Sequence, residues 1–96
     1  MKVQNMTSSN GNKVANQFIV TQTQNGRKVE YFQSYDSVIA IKKHSLDGDD
    51  ENIYLDRDHW DYSVTTGKYR NQFLGETKKE TQAKIDSGEY ILTDLN

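Results

Sequence analysis

One dipeptide constrains the fold of this chain more than any other: Asn25-Gly26, set between two runs rich in β-branched and aromatic residues. A two-residue type I′ turn needs positive φ at both central positions, and Asn-Gly tolerates this best. Residues 16–24 (NQFIVTQTQ) and 27–34 (RKVEYFQS) are therefore predicted to be the arms of a hairpin. With a two-residue loop, Gln24 faces Arg27, Val20 faces Tyr31 and Ile19 faces Phe32, so apolar residues meet apolar residues. Thr21 meets Glu30 and Thr23 meets Lys28 on the Ile19/Phe32 side. That side is expected to be partly wet, and the Phe18/Val20/Tyr31 side is expected to face the core.

Tyr35-Asp36 turns the chain into a third strand over 37–43, and a loop over 44–52 leads to a short fourth strand at 53–55. Strands that follow each other this closely assemble as an antiparallel meander. The period then changes. Tyr62, Tyr69, Phe73 and Leu74 fit a helix over 65–74, with Ser63 or Thr65 as N-cap and Gly75 just beyond the end. Gly67 weakens that helix by about 1 kcal/mol relative to alanine. Thr77 and Glu80 have the spacing of a capping box, which opens a second helix over 78–87 ended by Gly88. Its apolar stripe is only Ala83 and Ile85, so a surface position is expected. Residues 89–95 (EYILTDL) read as a terminal strand or docked tail. Residues 1–15 are polar, with a loop at 8–12 and room for a short strand at 2–5; this segment is expected to be mobile, leaving 16–96 as a single domain. The fold class is α+β: a small antiparallel sheet, a meander of about four strands, with two short helices and a C-terminal strand.

The chain has 96 residues, 33% of them hydrophobic, and a mean hydropathy of −0.94. Burial and conformational entropy are therefore nearly balanced. Ten aromatic residues partly offset the shortage, and either a monomer or a homodimer is compatible with the pattern. The absence of cysteine excludes disulfides and thiolate metal sites. No apolar run approaches the roughly 20 residues that cross a bilayer, and residues 1–15 hold no signal-like stretch. The expected location is the cytoplasm, with no membrane partner.

Charge is placed unevenly. Residues 44–62 hold Asp47, Asp49, Asp50, Glu51, Asp56, Asp58 and Asp61 against Arg57, a local net of −6, while the rest of the chain carries +4. Such segregation speaks to partners rather than to fold. Asp47-Gly48-Asp49-Asp50-Glu51 has part of a calcium loop, but an EF-hand needs acids at alternate positions and a distant bidentate Glu, so a solvated loop fits better and no metal site is assigned. Asp56-Arg57-Asp58-His59-Trp60-Asp61-Tyr62 is the densest polar-aromatic stretch. A carboxylate there could orient His59 as a base, yet a turn into a helix, with acids at the positive end of its dipole, explains the stretch more simply. His44, beside Lys43, reads as a surface residue. There is no G-x-S-x-G elbow, phosphate loop or dinucleotide fingerprint. No catalytic residue and no cofactor are assigned, and a non-enzymatic protein is expected.

Two binding surfaces compete. Rows of carboxylates can imitate DNA phosphates before a basic protein channel, with Tyr54, Trp60 and Tyr62 as aromatic anchors beside the seven acids. Alternatively, Lys68, Arg70, Lys78 and Lys79, interleaved with Tyr69 and Phe73, could hold single-stranded nucleic acid by phosphate contact and stacking. Glu76, Glu80 and Asp86 dilute that patch, and a pI near 5.6 is far from the basic range of nucleic-acid modules.

The segments Y-F-Q-S-Y (31–35), W-D-Y-S (60–63) and F-L-G-E (73–76), with K-I-D-S-G-E-Y (84–90), resemble a family of small uncharacterised proteins of bacteriophages and bacterial mobile elements. The resemblance covers about two-thirds of the chain and implies a small accessory gene. It supplies no catalytic residues. Joined to the acidic array, it implies an inhibitor of a host nucleic-acid-handling protein, such as a CRISPR effector nuclease with its positively charged channel.

Overall fold

The Asn25-Gly26 turn takes φ values of 54° and 80°, as a type I′ turn requires. The strands beside it, β2 (Lys13–Gln24) and β3 (Arg27–Ser34), pair in the predicted register, with Gln24 opposite Arg27, Val20 opposite Tyr31 and Ile19 opposite Phe32. The structure, a computed structural model, describes residues 1–45 and 51–96. From β3 the antiparallel meander continues through β4 (Ser37–His44) and β5 (Glu51–Asp56). β1 (Lys2–Thr7) adds to the free side of β2, so the 1–15 segment holds β1 and the first residues of β2. α1 (Val64–Leu74) and α2 (Lys78–Asp86) follow β5, and β6 (Ile91–Thr93) then pairs parallel to β5. The fold is α+β, one open sheet in the order β1 to β6. Parallel pairing needs a crossover, and the two helices supply it. They lie across one face of the sheet.

The covered face is the reverse of the expected one. Phe32 is fully enclosed and packs on Phe73 of α1 with ring centres 5.8 Å apart. Ala40 and Leu55, in line with Phe32 across β4 and β5, are equally enclosed. Phe18, Val20 and Tyr31 lie on the other face and are only half-buried. The wet-looking pairs that suggested the opposite lie toward the hairpin tip, where Thr23 and Lys28 are exposed. Lys42, on the helix side, is accommodated because its Nζ donates to the Phe73 carbonyl at 2.6 Å and sits 4.5 Å over the Phe73 ring. It thus neutralises the negative end of α1. A bulge in β3–β4 shifts the register after Phe32–Ala40, and consecutive residues Ile39 and Ala40 are both buried.

The helix ends follow their sequence signals. Ser63 caps α1 by accepting from the Thr66 amide at 3.1 Å, and Gly75 ends it at φ 72°. Thr77 and Glu80 form the capping box of α2, whose Ile85 packs against the core. Beneath α1 a buried hydroxyl pair, Ser34 and Thr66, meets at 3.0 Å.

Replacing Phe32 with alanine is expected to cost about 3–5 kcal/mol, read by urea unfolding. Gln17 is fully buried and neither polar atom of its side chain has a hydrogen-bond partner. Gln17→Leu should therefore leave stability unchanged or raise it by about 1 kcal/mol, read as an equal or higher unfolding midpoint.

Candidate functional site

The loop over 57–63, between β5 and α1, carries the densest group of expected contact residues, and two buried side chains hold it. The first is Asp56, at the end of β5. Its Oδ2 accepts from the amides of Asp58 (3.2 Å) and His59 (2.9 Å) and lies 2.6 Å from His59 Nδ1. Its Oδ1 accepts from the Leu95 amide at 2.8 Å. Burial is the largest single influence and raises the carboxyl. The hydrogen bonds from Leu95, His59, Asn96 and Asp58 together outweigh it and hold the pKa below the ordinary 3.8.

The second is Arg70 of α1, with 1% of its side chain exposed. Its Nη1 donates to the Trp60 carbonyl at 2.7 Å and to Asp61 Oδ1 at 3.1 Å, and its Nη2 donates to Asn71 Oδ1 at 2.9 Å. The guanidinium also lies 5.2 Å from the centre of the Trp60 ring. Lys78, the first residue of α2, bonds the same Asp61 at 2.7 Å, so one carboxylate ties both helices to the loop. For Asp61 burial again raises the pKa and is again outweighed, here by Lys78 and Arg70.

This bracing sets out Tyr62, 49% exposed, and Val64, 91% exposed. The Tyr62 ring stands edge-on to His59, with centres 5.4 Å apart. Beside them opens a cleft of about 620 Å³, lined by Tyr62, Ser63, Val64, Lys68, Arg70 and Lys78 among others.

Of the expected acidic surface, the structure brings Asp58, Trp60, Asp61 and Tyr62 together, with Asp58 exposed and Trp60 packed against the core. Asp56 is enclosed and serves as the loop's anchor rather than as a contact group. Glu51 is exposed but opens β5, so the length of that strand, roughly 20 Å, separates it from Asp58. Tyr54 faces the other side of the sheet, with Lys43 Nζ 5.0 Å from its ring centre. Asp47, Asp49 and Asp50 lie outside the described residues. The basic alternative is also broken up. Arg70 is enclosed and Lys78 is paired to Asp61, while Lys68 and Lys79 are exposed.

Two arrangements escape a linear reading. His44 is half-buried between Glu30 (2.9 Å) and Glu51 (3.7 Å), not a free surface residue, because cross-strand pairing brings both acids to it. Glu76, seen in sequence only as a diluting charge, accepts from Lys84 Nζ (2.8 Å), Thr81 Oγ1 (2.6 Å) and the Tyr90 hydroxyl (2.7 Å). Burial raises its pKa, but these donors together hold it below 4.5. Tyr90 is pushed up to about 12, by burial first and then by Glu76. Lys84 is raised, chiefly by its bond to Glu76. Among the described residues, no group of three or more His, Asp or Glu side chains could hold a metal ion, and no helix is long and apolar enough to cross a membrane.

Arg70→Ala leaves the Trp60 carbonyl without its donor and Asp61 with Lys78 as its remaining cation, and should cost about 2–3 kcal/mol, read by urea unfolding. Asp56 and Glu76 are depressed in the folded state, so their contribution is present above their ordinary values of 3.8 and 4.5 and is lost as pH falls through the folded ones. Tyr90 is raised, so its contribution is present below pH 10.0 and is lost as pH rises through about 12. Unfolding midpoints against pH should show both limbs, the acid limb shallower in Asp56→Asn.

The model of a family of unknown function (DUF8033) matches residues 1–89, and the chain belongs to that family. No curated protein and no solved structure matches the chain.

Proposed function

We propose that this protein is a non-enzymatic interaction protein that docks through the braced 57–63 loop and the start of α1. The observation that supports this reading is the enclosed Arg70, whose guanidinium is spent on fixing the Trp60–Asp61 backbone and side chain. An aromatic presented from a fixed loop has little freedom left to lose on binding. Tyrosine is also among the side chains that dominate interface energetics, and Tyr62 and Val64 stand exposed together beside the cleft. The partner in this reading is a basic, nucleic-acid-handling protein of a bacterial host, such as a CRISPR effector. Asp58 beside Tyr62, and Glu51 with the acids at 47, 49 and 50, would steer it by charge.

The test is capture of a host protein by the tagged chain, followed by affinity measurement on the captured partner. Tyr62→Ala should weaken binding by about tenfold or more while leaving the unfolding midpoint unchanged, and undiminished affinity would sink the loop as the docking surface. Reversing Asp49, Asp50 and Glu51 to lysine should slow association and flatten its salt dependence. An unchanged association rate would remove the charge-steering part and leave the loop reading standing.

A further inference from the structure

Two Asn-Gly pairs stand in this chain, Asn10-Gly11 and Asn25-Gly26, and all four residues are exposed. Asparagine is one of the thermolabile side chains, and a glycine after it leaves the next amide nitrogen unshielded because it has no Cβ. As dipeptides the two pairs are chemically equivalent, but the fold treats them differently. The Gly11 amide donates to the Ser8 carbonyl at 2.9 Å. The same loop is tied by the Ser8 amide to the Asn12 carbonyl at 2.8 Å and by the Asn12 amide to Ser8 Oγ at 3.3 Å. A reaction at the Gly11 nitrogen must first give up its bond. At the hairpin tip, nothing among the described residues accepts from the Gly26 amide or bonds the Asn25 side chain. The strand ladder closes at the Gln24–Arg27 pair, so both turn residues lie outside it. Asn25 also borders a shallow depression of about 370 Å³ shared with Arg27 and Lys43, and cations favour the deprotonated form of a neighbouring acid.

We propose that Asn25 is a modification site at which the folded chain deamidates itself. The Gly26 amide gives its proton to solvent, and its nitrogen attacks Asn25 Cγ. The attack requires a rotation within the turn, and a two-residue tip beyond the last ladder pair opens at little cost. The new N–Cγ bond closes a five-membered succinimide, and the carboxamide nitrogen leaves as ammonia. Water then opens the ring at one of its two carbonyls. Opening at Cγ gives aspartate. Opening at the main-chain carbonyl gives isoaspartate, in which the backbone runs through Cγ and is one methylene longer. One water is consumed and one ammonia released, with no oxidant or reductant. The two products act differently on the hairpin. Asp-Gly suits a type I′ turn as Asn-Gly does, and the new carboxylate meets the bases of Arg27 and Lys43. Isoaspartate lengthens a two-residue loop whose length sets the register of β2 against β3. It therefore loosens the pairs nearest the tip, Gln24–Arg27 and Thr23–Lys28. The site belongs to the β2–β3 hairpin and does not rest on the docking proposed for the 57–63 loop.

The test holds the folded wild-type chain, and the same chain in urea, in mildly alkaline buffer. Tryptic peptides are followed by mass spectrometry, with fragment ions assigning each gain of one mass unit to its residue. In urea the two Asn-Gly pairs should convert at matching rates. In the folded chain Asn25 should convert about fivefold or more ahead of Asn10, the factor that corresponds to roughly 1 kcal/mol for one hydrogen bond. Asn25→Asp should keep the wild-type circular dichroism and unfolding midpoint, because aspartate fits the same turn. An Asn25 that keeps its amide in the folded chain while the urea sample converts, or an Asn10 that keeps pace with it, would overturn the proposal. A lowered midpoint in Asn25→Asp would overturn the distinction between the two products.

Discussion

The parallel pairing of β6 with β5 is the constraint from which the rest of the structure follows. Two parallel neighbours cannot be joined by a tight turn, so the chain between them must leave the sheet, cross it and come back. The crossover consists of α1 and α2, and it can lie over only one face. That choice makes Phe32, Ala40, Ile53 and Leu55 the core, leaves Tyr31 and Tyr54 on the open side, and places the 57–63 loop where the chain lifts off the sheet.

A core built from so few apolar side chains is completed by charge. Arg70, Asp56 and Glu76 are each enclosed, and each is matched by several partners instead of one. Removing a single member leaves a buried charge uncompensated, which costs more than the intact network contributes. These three residues also share a geometric task. Asp56 and Arg70 fix the two ends of the same short loop, and Glu76 holds α2 to the Tyr90 segment. The crossover is thus fastened by ion and hydrogen bonds where a larger protein would use more hydrophobic surface.

Local signals in the sequence were read correctly because the chemistry that makes them is local. Asn25-Gly26 can take positive φ, Ser63 and Thr77 can accept from amides three residues on, and Gly75 can end a helix in the left-handed region. What escaped depends on residues far apart in the chain. The core face turned on whether Phe73, 41 positions after Phe32, would land on Phe32 or on the opposite side. The roles of Arg70, Glu76 and His44 depended on which neighbours the fold would bring to them, and an arginine among lysines and tyrosines looks the same in sequence whether it binds a ligand or a loop. Asp56 carried a weak signal: an acid two and three residues before the amides it caps is an Asx-turn pattern. Tyr62 was expected as an anchor and is set out by the loop, although its support comes from Arg70.

The bulge at Ile39 gives β4 two phases. Before it, Val38 lies on the open side with Gln33; after it, Ala40 lies on the covered side with Phe32, and the intervening Ile39 is also enclosed. The extra residue lets β4 enclose Ile39 beside Ala40 while Val38 still pairs with Gln33. Deleting Ile39 would join Val38 to Ala40 in plain alternation and keep each of their β3 partners. What the strand would lose is the enclosed Ile39 side chain and the local bend, so here composition is the protected property more than register.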